Sequence, residues 1–305
     1  MTQLPAAGED YLYLLTRDPL ADHLAFMAEY PVGAATRDRR RVAEVWMAAQ
    51  RRMAGLRESE PGRADGADPR PLAADLRPLV GRVEADPAFR QAFADATYEV
   101  ATIDLAQVVA SQKLVSLRHV RSLQARLGPD PTPEAVFRFC LPFDRVAPTH
   151  HASRTADEEF VFRSLSNDLR FLEAVLLRPD QLVGYQPAGL AAGVVALVVG
   201  YGANYLHALS MNGRLVLNNG HHRACALYDL GVRRVPCVVQ SVAHPDEVQV
   251  HAPRAVRRNL DFYVSGPRPP VVADYFDPVL SDTVRLDLST KQVRVRYSVE
   301  EQDVP

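Results

Sequence analysis

The sequence predicts an α+β protein, in which a helical N-terminal region precedes a mixed-sheet domain and a β-rich C-terminal extension. Apolar residues recur at helical spacing between Val42 and Leu56. A strand, a tight polar turn, a short helix and a second strand follow one another between Leu215 and Val239. Polar and apolar residues alternate between Gln292 and Val299. Spacings of three to four residues indicate one face of a helix, whereas strict alternation indicates a half-buried strand.

The composition is that of a globular protein. The chain has 305 residues, of which 47% are hydrophobic and 24% are charged, so it can bury an ordinary core. Its net charge of −2 argues against a broad nucleic-acid surface, which needs an excess of basic residues. The longest apolar run, residues 188–200, contains glycines and is too short to cross a bilayer. We therefore expect neither DNA nor a membrane as a partner.

Cysteine usage favours the cytoplasm. Cys140, Cys225 and Cys237 are widely spaced and form no CxxC pair, so neither a disulfide framework nor a zinc site is predicted. The first residues lack the basic stretch and apolar core of a signal peptide. We expect a cytoplasmic protein that acts on a small molecule, and association into a homo-oligomer stays open.

Residues 1–96 are predicted to form the helical N-terminal region. Helices are expected through residues 1–56, at 73–84 and at 87–97, with a loop at 57–71 that has little to bury. The predicted inner face of one helix consists of Val42, Val45, Trp46, Ala49, Met53 and Leu56. Its arginines indicate a solvated face, with a basic face for a partner or an acidic ligand as the alternative; they are Arg39, Arg40, Arg41, Arg51 and Arg52.

Residues 97–242 are predicted to form the mixed-sheet domain, with a long insertion at about 128–186. A strand from Thr97 to Val109 leads into a turn, after which Ser116 caps a helix that runs to about Leu127. Within and after the insertion, the sequence predicts a helix at 167–177, strands at 193–199 and 204–210, and a hairpin turn at Asn212-Gly213 with a return strand at 214–218.

Residues 243–305 form the predicted C-terminal extension. His244-Pro245 marks a helix start, and a further helix is expected from Pro253 to Tyr263. The runs at 285–288 and 292–299 alternate polar and apolar residues, which predicts an antiparallel hairpin.

The most informative stretch follows the return strand, where Asn219-Gly220 leads directly into His221-His222-Arg223. Helical spacing continues to Leu230, and Gly231 stands where a C-terminal capping glycine belongs. A helix that begins on glycine presents free N–H groups and a partial positive charge, which suit a phosphate. An arginine in the first turn can add a bidentate contact. The sequence therefore predicts an anion site here.

Asn-Gly-His-His-Arg-x-x-Ala, followed by Leu-Gly-Val-x-x-Val-Pro-Cys-Val-Val, resembles the signature of the ParB N-terminal/sulfiredoxin-like superfamily. The similar stretch covers about twenty-five residues, with weaker similarity back to about Thr97. The nearest motif branch is that of free-serine kinases, which carry Asp-Gly-His-His-Arg. The resemblance implies a ParB/sulfiredoxin-like mixed sheet with helices, a phosphate-binding helix start, ATP or another nucleotide as ligand, and Mg²⁺ for phosphoryl transfer.

The candidate site residues follow from the motif and its resemblance. Nucleotide phosphates are expected at Asn219, Gly220, His221, His222, Arg223 and Gln112. His222, Lys113 and His221 are the candidate catalytic residues, with Lys113 neutralising or positioning phosphates and a histidine acting as acid or base. No metal-ligating cluster is predicted, because the adjacent His150 and His151 lack the spacing of metal ligands.

Two departures from the kinase branch keep other functions open. Asn219 stands where that branch has an aspartate, and no carboxylate is found near Lys113. An amide cannot replace a carboxylate as a strong magnesium ligand or base. His221 occupies the position of the sulfiredoxin cysteine, which excludes that reaction. The leading prediction is a nucleotide-dependent phosphotransferase, a kinase-like enzyme acting on a small molecule. The alternatives are a non-catalytic nucleotide-binding switch and an enzyme that uses the anion pocket for an acidic substrate.

Overall fold

The computed structural model describes residues 8–16, 18–31, 38–143, 147–166, 168–287 and 290–304. The chain divides into two compact units, of which the first comprises residues 1–144 and 204–288 and the second comprises residues 145–203 and 289–305. Helices and mixed sheets are both present, so the predicted α+β class is confirmed. The boundaries of these units differ from the predicted segments 1–96, 97–242 and 243–305.

The first unit contains two sheets and all ten described α-helices. Its strands are β1 (Gly8–Leu14), β2 (Tyr98–Asp104), β3 (Leu114–Ser116), β8 (His207–Met211), β9 (Arg214–Asn219), β10 (Arg234–Ser241) and β11 (Ser281–Asp287). Its helices are α1 (Leu20–Glu29), α2 (Arg39–Ser59), α3 (Arg77–Ala85), α4 (Pro87–Ala92), α5 (Leu117–Leu127), α6 (Pro133–Cys140), α7 (His221–Asp229), α8 (Pro245–His251), α9 (Arg254–Arg258) and α10 (Leu260–Val264).

The four-stranded sheet of this unit has the order β2-β10-β8-β9. β8 and β9 form the predicted hairpin, with Asn212 at φ 50° and Gly213 at φ 71° in its turn. β10 pairs parallel with β8 and antiparallel with β2. Since α7 connects β9 to β10, its start lies at the end of β9, next to the edge of the sheet.

The other sheet of this unit has three strands, in the order β11-β1-β3. β1 pairs with β3 so that Tyr11 lies opposite Ser116, the residue that caps α5. α5 and α7 share a core cluster that includes Val115, Val120 and Cys225. Burial of these apolar side chains holds the two helix starts side by side.

The second unit is built from β4 (His150–Ala156), β5 (Glu159–Ser164), β6 (Leu169–Leu177), β7 (Val194–Tyr201) and β12 (Lys291–Arg296). Its sheets have the orders β12-β5-β4 and β6-β7. Phe160, Phe162, Leu197, Val295 and Tyr297 line an apolar groove within this unit.

Several element predictions were wrong. The segment 167–177 was expected to be a helix, but Leu169–Leu177 form strand β6; Asn167 lies outside the described residues. Residues 169–171 and 173–177 of β6 pair with β7. Residues 1–56 were expected to be helical, but Gly8–Leu14 form β1. The last two strands do not form a hairpin, since β11 pairs with β1 and β12 with β5.

Other predictions were confirmed. Ser116 caps α5, accepting from the amide of His119 at 3.0 Å. α7 begins at His221, and Gly231 has the positive φ of 80° expected of a capping glycine. The single helix predicted from Pro253 to Tyr263 was only partly right, because the chain is interrupted at Asn259 and forms two short helices, α9 and α10. Among the described helices, none combines the length and apolar character that crossing a bilayer requires.

Candidate functional site

The turn between β9 and α7 depends on glycine. Gly220 has φ 97° and ψ 23°, a left-handed conformation that other residues adopt only with strain. A Cβ atom added at Gly220 would lie 2.6 Å from Cδ1 of Leu206, which is fully buried. Gly220 therefore lets the chain turn into α7 and leaves no side chain over the helix start.

The first backbone amides of α7 are the chemically distinctive groups of the turn between β9 and α7. Ala224 N–H donates to the carbonyl of Gly220 at 2.8 Å, which is the first bond of the helix. The amides of His221 and His222 donate to no other residue in the described ranges. Unpaired amides at a helix start carry a partial positive charge and are suited to an anion.

His221 is turned inward and anchors the neighbouring loop. Its Nε2 accepts from the backbone amides of Ser111 at 3.2 Å and Gln112 at 3.3 Å. Burial, together with the neighbouring His222, lowers the pKa of His221 to about 3, so the ring is neutral. An Nε2 that accepts from amides has its lone pair occupied, which leaves the proton on Nδ1. The His221 ring therefore organises the loop, and its Nε2 is not available to a ligand.

His222 makes an analogous contact. Its Nε2 accepts from the amide of Ser116 at 3.1 Å, and its ring lies 5.0 Å from the His119 ring in an edge-on arrangement. Burial, the nearby His119 and the Arg223 charge lower the pKa of His222 to about 4. The half-buried ring ties the start of α7 to the start of α5.

Arg223 is buried, and its guanidinium is used inside the protein. It donates to the carbonyl of Cys140 at 2.9 Å, to that of Phe139 at 3.4 Å and to Oδ1 of Asn204. The carbonyls at the end of a helix form the negative end of its dipole, so a cation is stabilised there. Arg223 therefore joins α7 to the end of α6, and these contacts take up donors that had been expected to bind phosphate.

Gln112 and Lys113 reach the same region from the loop before β3. The Gln112 amide nitrogen donates to the carbonyl of Leu114, in addition to the backbone contact with His221. The Lys113 ammonium pairs with Asp18 and lies 5.4 Å and 5.6 Å from the centroids of the Tyr13 and Phe26 rings. The structure therefore brings Gln112 next to the motif, whereas the charge of Lys113 is held by the N-terminal elements.

Glu9 is a functional candidate that sequence reasoning missed. It lies on β1, and its Oε1 accepts a hydrogen bond from Oγ of Ser116. Ser116 is also the residue whose amide contacts His222. A carboxylate thus reaches the start of α5, and Ser116 links it to His222 of α7; no carboxylate had been found near Lys113. No local signal indicates this, because the approach depends on the pairing of β1 with β3.

Asn219 is half-buried at the end of β9, opposite His207 of β8. The three cysteines are buried and reduced, and burial raises the pKa of the Cys225 thiol. Within the described ranges, no group of three or more His, Cys, Asp or Glu side chains is arranged to hold a metal ion. Magnesium held by a protein and a nucleotide together commonly uses only one or two carboxylates.

Comparisons of the chain with protein-family models, with curated proteins and with solved structures found no match.

Proposed function

We propose that this protein binds the phosphates of a nucleotide at the start of α7 and transfers a phosphoryl group to a small molecule. The proposal includes a ParB/sulfiredoxin-like fold for the segment that contains β2, β8, β9, α7 and β10. The motif resemblance supports this assignment, as does the sequence of strand, glycine turn, helix and strand around Gly220. ATP is the natural first candidate for the nucleotide.

The observation that carries the proposal is the pair of unpaired amides at His221 and His222 behind a left-handed Gly220. A phosphate in this position would accept from both amides and would lie at the positive end of the α7 dipole. The half-buried side chain of Asn219 borders this turn and supplies a further donor, whereas Gln112 contributes through its loop because its side-chain nitrogen donates to Leu114.

The motif side chains then act mainly by holding this geometry. His221 fixes the loop at Ser111 and Gln112, His222 fixes the start of α5, and Arg223 fixes the end of α6. Lys113, paired with Asp18, contributes through the position of its loop. We accordingly assign phosphate binding to the backbone at 221–222 and positioning to the three side chains.

Glu9 is the proposed general base. A carboxylate beside Ser116, whose amide contacts His222, can accept the proton of a substrate hydroxyl as that oxygen attacks the transferred phosphorus. Its hydrogen bond from Ser116 fixes the orientation of the carboxylate. Mg²⁺, when bound with the nucleotide, would neutralise charge on the phosphates.

The second candidate is a nucleotide-binding module without catalysis. It is favoured because the side chains of His221, His222 and Arg223 are all used in internal hydrogen bonds, so they do not serve as acid or base. Catalysis at the start of α7 would then depend on Glu9. Nucleotide binding would then be coupled to the loop at 111–113, whose position depends on His221.

Binding is tested by thermal unfolding with ATP, ADP, CTP and GTP, each with and without Mg²⁺. A nucleotide at about a hundred times its Kd should stabilise the fold by roughly 2.7 kcal/mol. His222→Pro removes the amide, and proline is tolerated in the first turn of a helix. His222→Ala removes only the ring. We expect the shift to be lost in the proline variant and retained in the alanine variant; equal shifts in both would exclude the amide site.

Catalysis is tested separately with Glu9→Gln, whose side-chain oxygen can still accept from Ser116. Phosphate release and transfer to a panel of small hydroxyl compounds would be followed by phosphorus NMR. We expect turnover to fall by about 10²–10⁴-fold while the nucleotide-dependent thermal shift persists. Nucleotide binding without turnover in the unaltered protein would favour the non-catalytic module. If no nucleotide binds, the remaining hypothesis is that the start of α7 binds an acidic substrate.

A further inference from the structure

A small polar pocket lies in the first unit, at the β2 side of the four-stranded sheet. It has a volume of about 210 Å³ and is lined by residues that include Asp68, Arg70, Thr102, Asp104 and Arg234. Drug-sized ligands occupy cavities of roughly 300 Å³ or more. At about 30 Å³ per water molecule, this pocket holds the equivalent of about seven waters. Its size therefore suits a small metabolite.

Strand register directs four of these side chains to one face. Asp104 of β2 lies opposite Arg234 of β10. On the other side of β2, Thr102 and Arg70 exchange both backbone hydrogen bonds, at 2.8 Å and 2.7 Å. Directly opposed residues share a face, and so do residues two apart on one strand. Arg70, Thr102, Asp104 and Arg234 consequently form a row across three neighbouring chain segments.

The row presents both signs of charge. Arg70 and Arg234 contribute two guanidinium groups, and Asp68 and Asp104 contribute two carboxylates. Within the described part of the chain, neither guanidinium forms an ion pair or a side-chain hydrogen bond. Asp104 Oδ1 accepts from the amide of Ala106 at 2.9 Å, which fixes the orientation of its carboxylate. The lining charges sum to zero while remaining available to a ligand.

We propose that this pocket is a second binding site and that it takes a small zwitterion, such as a free α-amino acid. The ligand carboxylate contacts Arg70 and Arg234, for which a planar guanidinium is well suited. The ligand ammonium contacts Asp68 and Asp104. Matching a ligand's two charges to two groups of opposite sign gives specificity that a singly charged compound does not obtain.

Other ligand classes fit this charge pattern less well. A nucleotide or phosphate would meet two carboxylates, and a divalent cation would meet two guanidinium groups. The pocket is also separate from the start of α7. The nine residues of α7 span about 14 Å, and Arg234 begins β10 after the far end of that helix. The proposal therefore does not depend on nucleotide binding.

Calorimetric titration of the full chain tests the site, with glycine, L-alanine and L-serine as probes. N-acetyl-L-alanine retains the carboxylate without the ammonium, and L-alaninamide retains the ammonium without the carboxylate. We expect at least one of the three amino acids to bind and both derivatives of alanine to fail. Absence of heat with all three amino acids would overturn the proposal, as would equal binding of the acetylated derivative.

Substitutions locate the site. Arg234→Gln and Asp68→Asn should each weaken amino-acid binding by about tenfold or more, because each removes one charged contact. Arg70→Gln offers a second test of the carboxylate contact, since the role of Arg70 in the sheet is carried by its backbone. Arg121→Gln, at an exposed position on α5, is the matched control and should bind like the unaltered protein. Undiminished binding by folded Arg234→Gln and Arg70→Gln variants would place the ligand elsewhere and refute this site.

Discussion

At the scale of single residues, His221 is more important as a hydrogen-bond acceptor than as a titrating group. His221→Phe keeps an aromatic ring but removes the acceptor for the amides of Ser111 and Gln112. A buried donor left without a partner costs about 1–3 kcal/mol. We therefore expect the free energy of unfolding, measured with urea, to fall by roughly 2–5 kcal/mol.

His221→Gln is the matched control for this prediction, because its side-chain oxygen can accept from the same amides. We expect a clearly smaller loss of stability than in His221→Phe. If both variants lose the same free energy, the shape of the ring rather than its acceptor accounts for the role of His221.

The sequence motif predicted where α7 begins, but not where the side chains of the motif go. His221 and Arg223 stand at a glycine-opened helix start, a pattern typical of anion sites. Their side chains nevertheless contact Ser111 and Cys140, which are 110 and 83 residues away in sequence. A local motif fixes the backbone of the turn, whereas tertiary packing decides which hydrogen-bonding groups remain for a ligand.

At the scale of elements, the start of α7 depends on both the conformation and the space available at Gly220. Gly231, at the other end of the helix, has a positive φ of 80° with nothing within 4 Å of an added Cβ. Gly231→Ala therefore measures backbone strain alone, about 1–3 kcal/mol. Gly220→Ala adds a clash with buried Leu206, so we expect it to lower the free energy of unfolding further. Equal losses in denaturant titrations would show that Leu206 moves aside without cost.

Elements set by local signals were predictable, and those set by distant pairing were not. α5 has a capping serine and α7 has a glycine at each end, so both starts could be found in the sequence. β6 contains four leucines, which favour helices, and becomes a strand through pairing with β7. Alternation identified strands in the last segment, but alternation does not specify a partner, and β11 and β12 join different sheets.

At the scale of the whole molecule, three neutral histidines couple the stability of the first unit to pH. Burial is the main cause that lowers the pKa of His207 to about 4, of His221 to about 3 and of His222 to about 4. In the unfolded chain these groups titrate near about 6.5. Between these values the unfolded state binds more protons, so stability is complete above about pH 6.5 and is lost as the pH falls toward 4 and then 3.

This loss can be measured by urea unfolding at about pH 7.5 and about pH 5. At about pH 5, each buried histidine should cost roughly 2 kcal/mol, so His207 and His221 together predict a loss of about 4 kcal/mol. His222 is half-buried, and solvent reduces its contribution.

The double variant His207→Gln, His221→Gln is the control. It should be less stable at neutral pH, but its free energy of unfolding should fall much less on acidification. Asp277, whose pKa is lowered by its amide and Arg52 contacts despite burial, titrates below this window. A free energy of unfolding that stays constant between the two pH values would contradict the burial of neutral histidines around α7.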